Sequence, residues 1–410
     1  MKTNYHLFDV IGVELEYMVV NQQSLHIQPV VADLFLAKNG TITDDIDNGT
    51  IAWSNELVAH VVELKTNGPA KDLSLLAHSF HQNILEINLL LKNQQAKLLG
   101  TACHPFMNPL TETALWPYGA KDIYQLYDTI FGCKGHGWSN LQSMHLNLPF
   151  YNDDEFAKLH AAIRILLPIL PGLSASSPIL DGQLTGYKDS RLEQYKHNQK
   201  QIPIIAGKVI PEAVYSKQAY YDVIYHPIQK AIAPHDPTGI LDFHFVNSRG
   251  AIARFDRNAI EIRVLDLQEC PKADVAIAML IVESLKLLIT QPFTSLASQK
   301  EMDIDVLATL LNQSILDAEQ HNITNATYLQ ELGLKKTTTV SGIWKHLYKC
   351  VKHHIATEHQ ETLVYLLENG TLASRITKAF EKNPTSKNLH QIYQKLSSCL
   401  HNNQLFDPCQ

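Results

Sequence analysis

The sequence predicts an α+β fold: an antiparallel or mixed sheet with helices on one face, followed by an all-helical C-terminal portion. Three observations carry this. Segments with period-two alternation recur before residue 270. After Pro271 the spacing of apolar residues becomes helical and stays so. No internal repeat or low-complexity linker breaks the chain. The expected division is an α+β part over residues 1–295 and a helical portion over 296–410 packed on it.

The elements follow in order. Phe8 to Val20 alternates and reads as a strand. Leu73 to Leu99 has helical spacing, with Asp72 placed as its N-cap. Ser143 to Phe150 alternates again, ending at Pro149. Asp153 to Leu167 reads as a helix entered through Asn152 and Asp153 and ended near Pro168. Pro171 to Tyr187, rich in Gly, Ser and Pro, is expected to be a long loop. Leu241 to Asn247 and Ala259 to Asp266 are expected as the two strands of a hairpin. Beyond them, Ala273–Thr290, Asp303–His321, Ser341–His354, Glu361–Leu367 and Asn388–His401 all have helical spacing.

Bulk properties exclude several classes. The chain has 410 residues, 45% hydrophobic and 18% charged, which is ordinary globular composition. A net charge of -7, with no run of Lys or Arg, argues against nucleic-acid binding. The start, Met1 to His6, is polar, and the first apolar stretch carries Glu14 and Glu16, unlike a signal peptide. The most apolar stretch, Val275 to Ile289, is broken by Glu283, Ser284 and Lys286, so no membrane span is expected. Six scattered cysteines fit reduced thiols in a cytoplasm. Cys350 with His353 and His354, and Cys133 with His136, lack the paired C-x₂-C spacing of a zinc site.

The chemistry is concentrated on strands. In Gly12-Val13-Glu14-Leu15-Glu16-Tyr17, one face is apolar and the other presents Glu14 and Glu16. Side chains two apart share a strand face, roughly 6.5–7 Å apart at Cα. Two carboxylates held there repel unless cations sit beside them, and hard oxygen ligands suit Mg²⁺ or Mn²⁺. The pattern returns with Ser143, His145 and Asn147 opposite Met144, Leu146 and Leu148, and with Glu261 and Arg263 opposite Ile260, Ile262 and Val264. A single such strand more often just faces water. Solvated faces, however, carry Lys, Thr and Ser mixtures, and three coincidences of Glu-x-Glu, His-x-Asn and Glu-x-Arg favour a metal and anion site. The segment Asn55 to Thr66 adds Glu56 and Glu63.

Phosphate handling has a different signature from the common ones. There is no G-x-x-x-x-G-K-[ST] loop and no strand-linked G-x-G-x-x-G. Before residue 270 the arginines are Arg164, Arg191, Arg249, Arg254, Arg257 and Arg263, most of them beside the Gly172–Tyr187 loop or in the expected hairpin. Arginine offers a rigid fork of donors suited to phosphate and carboxylate. The small-residue loop from Gly172 to Tyr187 has the composition to bring backbone N–H groups close to an anion, and equally that of a plain surface loop.

Together these motifs resemble the glutamate–cysteine ligase type 2 family, the carboxylate–amine ligases of the glutamine synthetase-like superfamily. The resemblance runs from about Phe8 to the helix after Pro271. It rests on Gly12–Tyr17, Glu56–Thr66, His104-Pro105-Phe106, Ser174–Arg191 (the most specific match) and Arg254–Asp266. It implies a curved antiparallel sheet forming a funnel-shaped site. By the same resemblance Glu16, Glu56 and Glu63 hold one metal ion, and Glu14, His145 and Glu261 a second. Arg263 and Arg254 sit on ATP phosphates or the acyl phosphate and are counted, with Glu63, as catalytic. Arg191, Ser176, Tyr187, Asn147 and Arg257 are expected to touch substrate or nucleotide. Two positions depart from the family pattern. Asn147 stands where a second histidine is common, and Ile123-Tyr124 replaces an Arg-Tyr pair.

The implied reaction uses ATP as co-substrate with two or more Mg²⁺ or Mn²⁺ ions. A carboxylate, expected to be the side chain of glutamate, becomes an acyl phosphate, and an amine such as cysteine displaces phosphate. Rival expectations on the same fold are a kinase that stops at phosphoryl transfer, an amide hydrolase, and a non-catalytic nucleotide-binding paralogue. Small molecules are the expected partners, with neither nucleic acid nor membrane among them. Self-association fits this class, although no sequence feature specifies it.

Overall fold

An eight-stranded antiparallel sheet frames the protein, whose computed structural model describes residues 5–409. The polar start therefore lies outside the described residues for Met1 to Asn4. In chain order the strands are β1 (Gly12–Asn21), β2 (Asp45–Asn48), β3 (Ile51–Asn55), β4 (Val61–Thr66), β5 (Ala96–Leu99) and β6 (Ser143–Pro149). A separate two-stranded ribbon, β7 (Ile179–Leu180) and β8 (Gln183–Leu184), follows. The main sheet is completed by β9 (Ala251–Arg254) and β10 (Ala259–Asp266). Across the sheet the order is β2-β3-β4-β1-β6-β10-β9, and β5 pairs the far end of β1.

Period-two alternation sets which way each strand faces. Val13, Leu15 and Tyr17 of β1, Val62 and Leu64 of β4, Met144, Leu146 and Leu148 of β6, and Ile260 and Ile262 of β10 all enter one apolar core. Against them lie Phe80, Ile84 and Ile87 of the Leu76–Leu90 helix and Ile277, Leu280 and Ile281 of the Pro271–Ile289 helix. Each fully buried side chain of this size contributes roughly 1.5–3 kcal/mol. The opposite, polar face is therefore left for the site. Register fixes its neighbours: Glu14 lies beside Lys65 on one side and His145 on the other, and Glu16 lies beside Glu63.

The α+β class is as expected, and several boundaries differ. The helical run expected over Leu73 to Leu99 ends at Leu90; a 3-10 turn, Leu91–Gln94, and a left-handed Gln95 (φ 53°) turn the chain into β5. Asp72 caps only the turn before it, accepting from Ser74 N at 2.8 Å. Leu241 to Asn247 is not a strand. Asp242 accepts from His244 N at 2.9 Å and starts the helical turn Phe243–Val246, so the partner of β10 in the hairpin is β9. The expected loop after Pro171 holds the turn Pro171–Ser174 and the β7–β8 ribbon, whose connection uses positive φ at Asp181 (50°) and Gly182 (73°). That pair of angles is the tight two-residue hairpin turn.

The expected C-terminal helices are present, joined by Leu372–Glu381, which the helical spacing had not singled out. They continue the same core through Leu307, Ile315, Trp344, Leu347 and Leu366. Polar ties cross as well: Tyr328 Oη donates to Ile165 O and Trp344 Nε1 to Ile169 O, each at 2.8 Å. A second cluster, with Ile376, Phe380, Tyr393 and Leu396, covers Met18 and Val20 of β1 and Leu99 of β5. Among the described residues no helix is long and apolar enough to cross a membrane.

Candidate active site

The polar face of the sheet lines a cavity of about 780 Å³, with walls from β1, β3, β4, β6, β9 and β10. Glu14 stands near its middle. Its carboxylate meets His145 Nδ1 at 3.0 Å and accepts from Asn147 Nδ2 at 3.0 Å. Glu16 accepts from Ser143 N at 2.6 Å and from Ser143 Oγ at 2.9 Å, and that hydroxyl also meets His145 Nε2 at 2.9 Å. Glu63 accepts from Ser54 Oγ at 2.7 Å, and Lys65 Nζ lies 3.3 Å from the same carboxylate.

These groups gather into two sets able to hold a cation. Glu14, Glu63 and His145 each bring one donor atom within 4.8 Å of the others, and so do Glu16, Glu56 and Glu63. The second set is the one that the family resemblance implied. In the first, Glu63 stands where Glu261 was expected. Glu261 is taken up by Arg263, which donates to it from Nε at 3.0 Å, while Arg254 Nη1 lies 3.7 Å away. A bulge in β10 between Ile262 and Leu265 accompanies this arrangement.

The electrostatics are those of carboxylates crowded in a dry space. Burial, then the charge of Glu14, pushes Glu63 up to about 7. Burial, then Glu16 and Glu63, pushes Glu56 well above the usual carboxylate range. Burial alone would raise Glu14, but the hydrogen bond and charge of His145 hold it below its ordinary value. Burial opposes ionisation of His145, and its carboxylate neighbours, Glu14 first, outweigh that and lift it to about 9. Burial would raise Glu261 too, and Arg263 draws it down to about 2. Hard oxygens and one imidazole, three of them under mutual repulsion, fit a divalent ion such as Mg²⁺ or Mn²⁺.

A pH dependence follows with a definite sign. A bound ion needs Glu63 ionised and His145 neutral, so binding displaces protons from both. Mg²⁺ affinity should therefore rise with pH through about 7 and on towards about 9, by about tenfold per pH unit for each proton displaced. Calorimetry in buffers of differing ionisation enthalpy measures the released protons directly. Affinity that stays flat across this range, with no proton release, would contradict the assignment.

The remaining expected residues fall in different places. Arg191 lines the cavity but is pinned from behind, with Nε 2.5 Å from Asp266 Oδ1. Arg254 reaches Asp256 at 3.2 Å, and its guanidinium sits 4.4 Å from the ring centre of Phe245. Arg257 is exposed at the same rim, 3.6 Å from Asp256. Asn147 lines the wall. Ser176 does not: it is wholly buried, its Oγ donating to Leu267 O at 2.7 Å and accepting from Ala102 N at 3.0 Å. Tyr187 packs half-buried against the core and is also absent from the cavity wall. The resemblance over Ser174–Arg191 drew attention to both, whereas their hydroxyl-bearing type says nothing of direction. Lys65, Phe245 and Trp138 line the cavity and were not singled out. For Lys65 the signal was there, two residues after Glu63 on one strand face.

Comparison with known proteins agrees with this architecture. The profile of glutamate–cysteine ligase family 2 (GCS2) matches residues 10–306. An uncharacterized protein of Archaeoglobus fulgidus is 30% identical over 403 residues, spanning 97% of this chain and all of that one. The crystal structure of glutamate–cysteine ligase from Francisella tularensis in complex with AMP superposes with a TM-score of 0.62, covering 98% of this chain and 90% of that one. At 12% identity the superposition speaks for the fold alone. The chain belongs to glutamate–cysteine ligase family 2.

Proposed function

We propose that the protein is an ATP-dependent carboxylate–amine ligase that activates the side-chain carboxylate of glutamate, or a similar acid, as an acyl phosphate and transfers the acyl group to an amine. The observation that carries this reading is one cavity holding two side-chain sets able to hold a cation, with Arg254 and Arg263 beside them. Divalent ions bound by Glu14, Glu63 and His145 and by Glu16, Glu56 and Glu63 would offset the charge of the ATP phosphates. Glu14, His145 and Ser143 hold one another in place by hydrogen bonds, so the ligand atoms are positioned before substrate arrives.

In the first step an oxygen of the acid attacks the γ-phosphorus, the β–γ bridging P–O bond breaks, and ADP leaves. Arg263 and Arg254 donate to the oxygens that gain charge. In the second step the amine nitrogen attacks the acyl carbon, the C–O bond to phosphate breaks, and phosphate leaves. The proton lost by the amine goes to a carboxylate of the site.

The test is ADP release by the purified protein with Mg²⁺-ATP, glutamate and a panel of amines that includes cysteine. ADP should appear only when acid and amine are both present. ADP formed with the acid alone, together with a stable phosphorylated product, would identify a kinase. No ADP under any combination, from folded protein that binds Mg²⁺-ATP, would remove the ligase reading.

A further inference from the structure

A row of side chains crosses the sheet from its solvent edge into the cavity. Register aligns Asp45 of β2 with Ser54 of β3, Ser54 with Glu63 of β4, and Glu63 with Glu16 of β1. Residues paired in this way project from the same face. Asp45 is exposed on the edge strand, whereas Ser54, Glu63 and Glu16 are buried. Among the described residues Glu63 is the one shared by both sets able to hold a cation, so its orientation bears on both.

Lys65, two residues along β4 and opposite the small Ala52, reaches diagonally over this row. Its Nζ lies 2.9 Å from Ser54 Oγ, 2.9 Å from Asp45 Oδ1 and 3.3 Å from Glu63 Oε1. An ammonium group only donates, so the lone pair it takes on Ser54 sets the direction of the next bond. The single hydrogen of that hydroxyl is left to donate to Glu63 Oε1, at 2.7 Å. Glu63 Oε1 is therefore engaged from two sides. Among the described residues no donor meets Glu63 Oε2, and the residue lines the cavity. The Lys65–Asp45 pair is open to solvent, its side chains 31% and 66% exposed, and pairs of this kind add little to stability. What it does is hold the ammonium over Ser54.

We propose that Lys65 and Ser54 are positioning residues for the cation sites: Lys65 turns the Ser54 hydroxyl onto Oε1 of Glu63, and Glu63 offers its Oε2 to a bound ion. The proposal rests on the cation-binding part of the ligase reading and not on its chemistry. Both residues act through Glu63 rather than on the ion. A carboxylate already fixed by its outer partners loses less freedom when the ion arrives. Without Lys65 the hydroxyl is free to turn towards Asp45, its cross-strand neighbour, and without the hydroxyl the carboxylate is free to rotate.

Mn²⁺ is the probe, its binding to the full protein read from the EPR signal of the free ion, with urea unfolding as the check on folding. Ser54→Ala keeps every charge and should weaken Mn²⁺ binding about tenfold. Ser54→Thr, which keeps the hydroxyl, should stay within about threefold of the parent. Lys65→Met carries two opposed effects, loss of orientation and removal of a positive charge beside the cation. The charge effect is the same whether or not the Ser54 hydroxyl is present, so it cancels in a double-mutant cycle. Lys65→Met should therefore favour binding more in the Ser54→Ala background than in the parent, by about fivefold. Unchanged Mn²⁺ binding in Ser54→Ala, equal weakening in Ser54→Thr, or effects of Ser54→Ala and Lys65→Met that add to within about twofold would each overturn the proposal and leave the cation sites standing. A folded parent protein that binds no Mn²⁺ would instead remove the sites, and the proposal with them.

Discussion

Glu14→Gln is expected to lower ADP release that depends on both co-substrates by on the order of a hundredfold to a thousandfold, with the fold intact. The carboxylate of Glu14 is a member of the cation set with Glu63 and His145 and the acceptor for Asn147 at 3.0 Å. Glutamine keeps the shape and one acceptor oxygen. It removes the negative charge that a bound ion and a protonated His145 both need. Stability should change little, because the loss of the Glu14–His145 pair is offset by relief of Glu63, which Glu14 raises more than any other influence after burial. For the same reason Glu63 should ionise at lower pH in the variant, and the pH dependence of Mg²⁺ binding should shift downward with it. Urea unfolding and ADP release on the same preparation separate the two effects. Activity within about threefold of the parent, with Mg²⁺ binding unchanged, would exclude Glu14 from the cation site.

The site was more legible in the sequence than the path that leads to it. Glu14, Glu16, His145, Glu261 and Arg263 could be read because each lies on a strand with a fully apolar back, where period two fixes direction. The same rule extends to Lys65 beside Glu63. Harder cases have physical causes. Leu241 to Asn247 alternates like a strand, but Asp242 caps a helical turn there and a local side-chain bond outweighs the pattern. The true strand, Ala251–Arg254, is buried along its whole length, so it shows no alternation. β5 was hidden inside helical spacing, because Leu98 and Leu99 face core on either face of the sheet. Glu261 was expected among the metal ligands. Spacing along β10 put it on the right face, but its pairing with Arg263 and Arg254 depends on the bulge and on β9, which only the folded chain supplies.

The support beneath the site should be as costly to disturb as the site itself. Asp266 closes β10 and is wholly buried. Its carboxylate accepts from Arg191 Nε at 2.5 Å, from Ser176 N at 2.8 Å and from Ser177 Oγ at 2.8 Å. Asp266→Ala would leave the Arg191 guanidinium buried without its nearest counter-charge and strand two further donors. Breaking a buried pair from one side costs about 3–5 kcal/mol, far more than the same change at a surface pair. Asp189 is also buried nearby, and burial followed by the charge of Asp266 pushes its carboxyl well above the usual range. Without Asp266 it can ionise and recover part of the loss, so the lower half of that range is expected. Because Arg191 also faces the cavity, the freed guanidinium should move, and KM for the acid should change more than KM for ATP. A loss below about 1 kcal/mol in urea unfolding would mean that Asp189 replaces Asp266 fully and that the pair is not what holds Arg191. A loss of about 3–5 kcal/mol with both KM values unchanged would confine Arg191 to a structural role.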